Sequence, residues 1–246
     1  MISTYTERFG EIKENDGTCK TVYQYTLSCN NIELKVINYG ACITSLKVPD
    51  NSGNVDDIVM GFDSLSEYIN HSYYFGCTIG RFANRIAKGE FTLANKKYSL
   101  CVNNGPNHLH GGIKGFDKVV WDSEIQGNKI ILSYISPAME ENYPGELTCY
   151  VTYELTDENE VIIHYKATTT EATPINLTNH SYFNLGGHRI LFSDEAHFWL
   201  NGYVNKQNCR IWSEANPQVY VETPLHPEKL TVWCALWAGG ILLQKR

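Results

Sequence analysis

WDSEIQGNKIILSY, residues 121–134, sets how the rest of this chain is read. Trp121, Ser123 and Ile125 alternate with polar residues up to Gly127-Asn128, and Ile130, Leu132 and Tyr134 return from it. A period of two on both sides of a two-residue turn signals a β-hairpin. The pattern repeats downstream: Val151, Tyr153 and Leu155 run to the polar turn at 157–160, and Val161, Ile163 and Tyr165 come back. Upstream, Leu34 shares a face with Val36, and Leu46 with Val48 before the turn PDNSG at 49–53. The only helix signal is at 63–68, where Ser64 and Glu67 have capping-box spacing. Short strands joined by short turns predict an all-β chain of antiparallel sheets in a sandwich or barrel.

Composition narrows the function classes. The 246 residues are 43% hydrophobic and 19% charged, enough for a sizeable core, and 16 Tyr and 5 Trp give aromatic faces suited to sheets or to sugar rings. A formal net charge of -7 without a basic run argues against nucleic acid and anionic membranes as partners. The cysteines, Cys19, Cys29, Cys42, Cys77, Cys101, Cys149, Cys209 and Cys234, form no CxxC pair and no zinc spacing, and are expected to be reduced, mostly buried thiols. Residues 1–15 lack the charge-then-apolar order of a secretory signal, and the longest apolar run, 233–243, falls well short of the ~20 residues that span a bilayer. These features together predict a cytoplasmic protein.

Three polar clusters could carry chemistry. In TNHSYFNLGG, 178–187, His180 lies between Asn179 and Ser181, with Tyr182 and Phe183 beside it. This setting suits a proton donor facing a polyhydroxylated ligand, although a hydrogen-bonded core histidine fits the stretch equally well. In GRFANRIAKGEF, 80–91, Asn84 and Arg85 offer donors that match sugar hydroxyls; a surface arginine near a turn is the alternative. In NHLHGG, 107–112, His108 and His110 would face one side if extended, and Gly111-Gly112 favour His110 as the residue held in place. No third ligand stands at metal spacing, so no metal and no cofactor are expected.

With four further stretches, these clusters resemble the aldose 1-epimerase (galactose mutarotase) family over about residues 9–187. The others are NYGACITSLKVPD (38–50), DIVMGFDSLSEY (57–68), GFDKVVW (115–121) and YPGELTCYVTYEL (143–155). The resemblance implies a galactose mutarotase-like β-sandwich with a sugar cleft, interconverting the α- and β-anomers of free hexoses such as galactose and glucose. It implies His180 as the acid, Asn84 and Arg85 on sugar hydroxyls, His110 binding near the ring oxygen, and Tyr182 lining the cleft. The family's glutamate base follows the histidine motif in a later segment with no counterpart here, and Glu146 belongs to an earlier turn. Loss of a positioned base weakens catalysis by roughly a hundred- to ten-thousand-fold, so the chain's activity is expected to be low.

After Gly187 the style changes: Trp199, Trp212, Trp233 and Trp237 crowd the remainder, against Trp121 alone before it. ILFSDEAHFWLNGYVNKQNCRIW and the residues to Ile241 resemble part of a mariner-type transposase catalytic domain, which implies a metal-ligand role for Asp194. One carboxylate cannot assemble a two-metal site, so transposition is not expected. The organisation predicted is an epimerase-like sandwich over 1–189, C-terminally incomplete, and an unrelated tail over 190–246. Unpaired sheet edges would then give poor solubility. An inactive sugar-binding remnant and an interaction protein associating through an exposed edge are the alternatives.

Overall fold

In a computed structural model the described residues are 2–14 and 17–185, together with the strand backbones of 197–199, 229–237 and 240–245. Ser3–Lys13 (β1), Cys19–Cys29 (β2), Ile32–Ile37 (β3), Cys42–Pro49 (β4) and Val55–Asp57 (β5) form an antiparallel sheet in sequence order. Leu65–Asn70 (α1) follows. Thr78–Ile79 (β6), Arg85–Ile86 (β7), Glu90–Leu93 (β8), Lys96–Ser99 (β9) and His108–Leu109 (β10) are short pieces between the large sheets. Asp122–Gln126 (β11), Lys129–Ser136 (β12), Leu147–Leu155 (β13) and Val161–Thr169 (β14) make the second sheet, again in order, and Thr178–Asn179 (β15) returns to pair with β6.

Both hairpins read from the sequence are present. Ile125 pairs with Ile130 across Gly127, whose positive φ supplies the turn, and Leu155 pairs with Val161. Strand β13 buries every second residue: Leu147, Cys149, Val151, Tyr153 and Leu155 are fully enclosed. They meet Leu27, Leu34, Val36 and Ile43 of the first sheet, so the main core is the filling of a two-sheet sandwich. Asn38 links the sheets further, accepting from the Tyr23 N–H and donating to the Trp121 carbonyl. The other face of the first sheet is covered by α1, whose Leu65 and Tyr68 pack with Val22 and Ile37.

Two expectations need correction. The helix starts at Leu65, and Ser64 caps no backbone N–H; its hydroxyl donates to Glu67 Oε2 at 2.8 Å, a side-chain contact in place of a capping box. Cys42 and Cys77 are joined in a disulfide, so not all cysteines are reduced thiols. The two lie 35 residues apart, and the Ile43 N–H to Gly76 carbonyl and Thr78 N–H to Gly40 carbonyl bonds bring them together. Sequence spacing carries no sign of that. In the tail, His197–Trp199 (β16), Lys229–Trp237 (β17) and Gly240–Lys245 (β18) form an antiparallel sheet of their own. Asp194 and the junction after Gly187 lie outside the described residues.

Candidate active site

Two minimal strand pairs build the site. In one, Asn179 pairs with Thr78 and Thr178 with Ile79, so His180 emerges where β15 leaves β6. Its backbone is pinned on both sides: its N–H donates to the Cys77 carbonyl at 2.8 Å, and its carbonyl accepts from the Gly76 N–H at 3.1 Å. Asn179 locks the turn by donating to the Gly76 carbonyl at 2.7 Å while accepting from the N–H and hydroxyl of Ser181. In the other pair, Leu109 meets Arg85 and His108 meets Ile86, which sets Asn84 and His110 side by side. Those two exchange hydrogen bonds: the His110 N–H donates to the Asn84 carbonyl at 3.2 Å, and the Asn84 N–H donates to His110 Nδ1 at 3.0 Å. Both have positive φ, +67° and +53°, so the chain turns sharply at each.

The aromatic rings join the two halves. His110 and His180 stand edge to face with centroids 5.2 Å apart, and Tyr74 packs on both, at 4.8 Å and 5.7 Å. Tyr182 lies 5.1 Å from His180 and is backed by Phe75 at the same distance. Arg85 donates from Nε to Asn104 Oδ1 at 3.0 Å and from Nη1 to Asn84 Oδ1 at 3.3 Å, which fixes its guanidinium and leaves further N–H groups for a ligand. Burial, helped by the charges of His180, Arg85 and Lys118, pushes the pKa of His110 down to about 4. At neutral pH it is therefore uncharged, and because Nδ1 accepts from the backbone, the ring proton sits on Nε2 and can be donated to an oxygen.

All five residues picked from the sequence, Asn84, Arg85, His110, His180 and Tyr182, belong to this one cluster. His108 does not. It is fully buried, with Nδ1 on the Cys101 carbonyl at 2.8 Å and Nε2 on the Tyr143 hydroxyl at 2.7 Å, because the chain bends at His110 and breaks the alternation that would have faced both histidines one way. Tyr74 was missed, although the HSYYFG run at 71–76 marks it as one of several aromatics before a glycine. Arg81 was missed too: in GRFANR it looks like a surface arginine, yet it is buried and donates to Ser136, Pro137, Pro144 and Gly145. Among the described residues no carboxylate hydrogen-bonds to Asn84, Arg85 or His110, and no group of three or more His, Cys, Asp or Glu side chains could hold a metal ion. No helix among them is long and apolar enough to cross a membrane.

A sandwich with paired histidines, an asparagine and an arginine at the mouth of two short strand pairs is matched by a family model, aldose 1-epimerase, over residues 23–225, and the chain belongs to that family. Galactose mutarotase of Sus scrofa is 48% identical over 187 residues, which are 76% of this chain and 54% of the relative. Aldose 1-epimerase of Escherichia coli K12 is 37% identical over 62% of this chain and 44% of its own length. The crystal structure of galactose 1-epimerase from Lactobacillus acidophilus NCFM superposes with a TM-score of 0.66 at 28% identity, covering 81% of this chain and 57% of that one. The chain spans about half the length of the curated relatives it matches.

Proposed function

We propose that this chain carries the hexose-binding and acid half of an aldose 1-epimerase site. The observation that carries the reading is the convergence of His110 and His180, 5.2 Å apart, with Asn84 and Arg85 on the strand pair that holds His110. Opening a cyclic hemiacetal requires a proton to reach the ring oxygen while another leaves the anomeric hydroxyl; the C1–O5 bond breaks, the aldehyde rotates, and reclosure gives either anomer. His180 supplies the ring-oxygen proton and recovers it on closure, a role an imidazole fills near neutral pH. His110 Nε2–H and the Arg85 guanidinium donate to sugar oxygens, Asn84 contributes through its amide, and Tyr182 offers an apolar face to the C–H side of the ring. The partner is a free hexose such as galactose or glucose, with neither nucleic acid nor membrane involved, and the compartment is the cytoplasm.

A base must take the anomeric proton, and its absence from the contacts of Asn84, Arg85 and His110 favours a second reading, a sugar-binding protein with little or no turnover. Polarimetry of fresh α-D-galactose separates the two. An epimerase accelerates decay over the spontaneous rate, and His180→Ala reduces that acceleration at least a hundredfold. Saturable galactose binding without acceleration leaves only the sugar-binding reading; neither binding nor acceleration removes both.

We further propose that residues 190–246 derive from a mariner-type element joined near Gly187, and that they add no transposase activity because Asp194 has no partner ligands from that family. Long-read sequencing of transcripts across this junction checks the point. A continuous message joining both sides is expected; transcripts that never contain both would show the tail to be an error of assembly.

A further inference from the structure

The turn GFDK, residues 115–118, has chemistry that the hexose site described above does not use. It is a single 3-10 turn, Phe116–Lys118, nailed under β6 by the Phe116 N–H to Gly80 carbonyl bond at 3.2 Å and closed by the Lys118 N–H to Gly115 carbonyl bond at 3.0 Å. Asp117 is buried there with 6% of its surface exposed. Its Oδ2 meets Lys118 Nζ at 3.2 Å, and its Oδ1 receives no hydrogen bond. A carboxylate so enclosed calls for a nearby cation, because leaving its charge unbalanced would be costly. Burial pushes the Asp117 carboxyl up, and Lys118, with His180 further off, draws it back down. The ammonium of Lys118 is also held from its other side, lying 5.6 Å above the ring of Tyr74. Tyr74 in turn packs edge-on against His110 and tilted against His180.

We propose that Lys118 is a positioning residue for the site: clamped by Asp117 and seated on Tyr74, its fixed charge keeps His110 in the neutral form that accepts the hydrogen bond of the Asn84 N–H. A protonated imidazole has no acceptor nitrogen, so charging His110 would break that bond and release the crossing of β7 and β10 that presents Asn84 and Arg85. The charged groups facing His110 are His180 after β15, Arg85 on β7 and Lys118 on the turn, with Asp117 behind Lys118 as the one acid of the set. Arg85 and His180 meet the ligand in the proposed function, so their surroundings change when a sugar docks. Lys118 is held by protein groups on both sides, and its field stays in place.

The inference rests on the hexose-site reading for its purpose, but its test does not require turnover. Histidine ring proton shifts of the full chain are followed by NMR against pH in wild type, Lys118→Met, Lys118→Arg and, as a control on an exposed lysine of β9, Lys97→Met. The His110 midpoint in Lys118→Met is expected to rise by about half a pH unit or more, while Lys118→Arg and Lys97→Met stay near wild type. If the methionine variant does not fold, Lys118→Gln takes its place. An unchanged midpoint in the charge-removing variant, or equal shifts with arginine and methionine, overturns the proposal. A chain without polarimetric activity would sink the functional reading and leave this titration result standing.

Discussion

His110 is the residue at which fold and chemistry are most tightly joined, since one ring both closes a strand crossing and faces the ligand. Its acid behaviour follows from its surroundings. The folded chain protonates it at about 4, whereas an open imidazole in the unfolded chain titrates near ~6.5. Between those values the unfolded state binds more protons, so stability falls as the pH falls, and the loss levels off below the folded value. Urea midpoints are therefore expected to decline from pH 7 to 4.5, and the decline should be shallower in His110→Gln. Parallel curves for the two proteins would place the acid sensitivity on another group.

Among the elements, the turn before β6 has the least room for change. A Cβ on Gly76 would collide with the Ile43 carbonyl oxygen, and its φ of +65° already disfavours any side chain. The same glycine donates to His180 and accepts from Asn179. Gly76→Ala is thus expected to cost about 2 kcal/mol or more, read as a lowered urea midpoint, and to weaken galactose binding beyond what the stability loss explains. A variant of wild-type stability and affinity would show that the turn can shift freely. How far the sequence revealed such elements depended on what each residue faces. Strands β12, β13 and β14 were legible because one face is buried and the other is not, which writes a period of two into the chain. The five site residues were legible through the motifs around them. Tyr74, Lys118 and Arg81 were not, because an aromatic on a ring, an ammonium over a ring and a guanidinium on four carbonyl-bearing residues are all tertiary placements with no local pattern. The turn of His108 away from His110 escaped for a backbone reason: a single positive φ defeats an argument from alternation.

At the scale of the whole molecule, two sheets share one core, but the second ends on a strand with a neighbour on one side only. Among the described residues β14 pairs with β13 alone, while Val161, Ile163, Tyr165 and Ala167 pack inward and Ile162 is 41% exposed on the outer face. Such an edge templates pairing with other chains. Self-association at micromolar concentration is expected on a sizing column, with Ile162→Lys shifting the distribution towards monomer. A monodisperse wild-type monomer would count against the edge as the contact.

The pairing of β6 with β15 also orders events in time. Asn179 reaches back 103 residues to Gly76, a closure that no local contact can make early. A ribosome that has released residues 1–169 has already delivered both sheets, yet Asn84, Arg85 and His110 then wait without their acid. His180 is the last of the named groups to be synthesised, so a nascent chain acquires its folded body before it acquires any means of moving a proton.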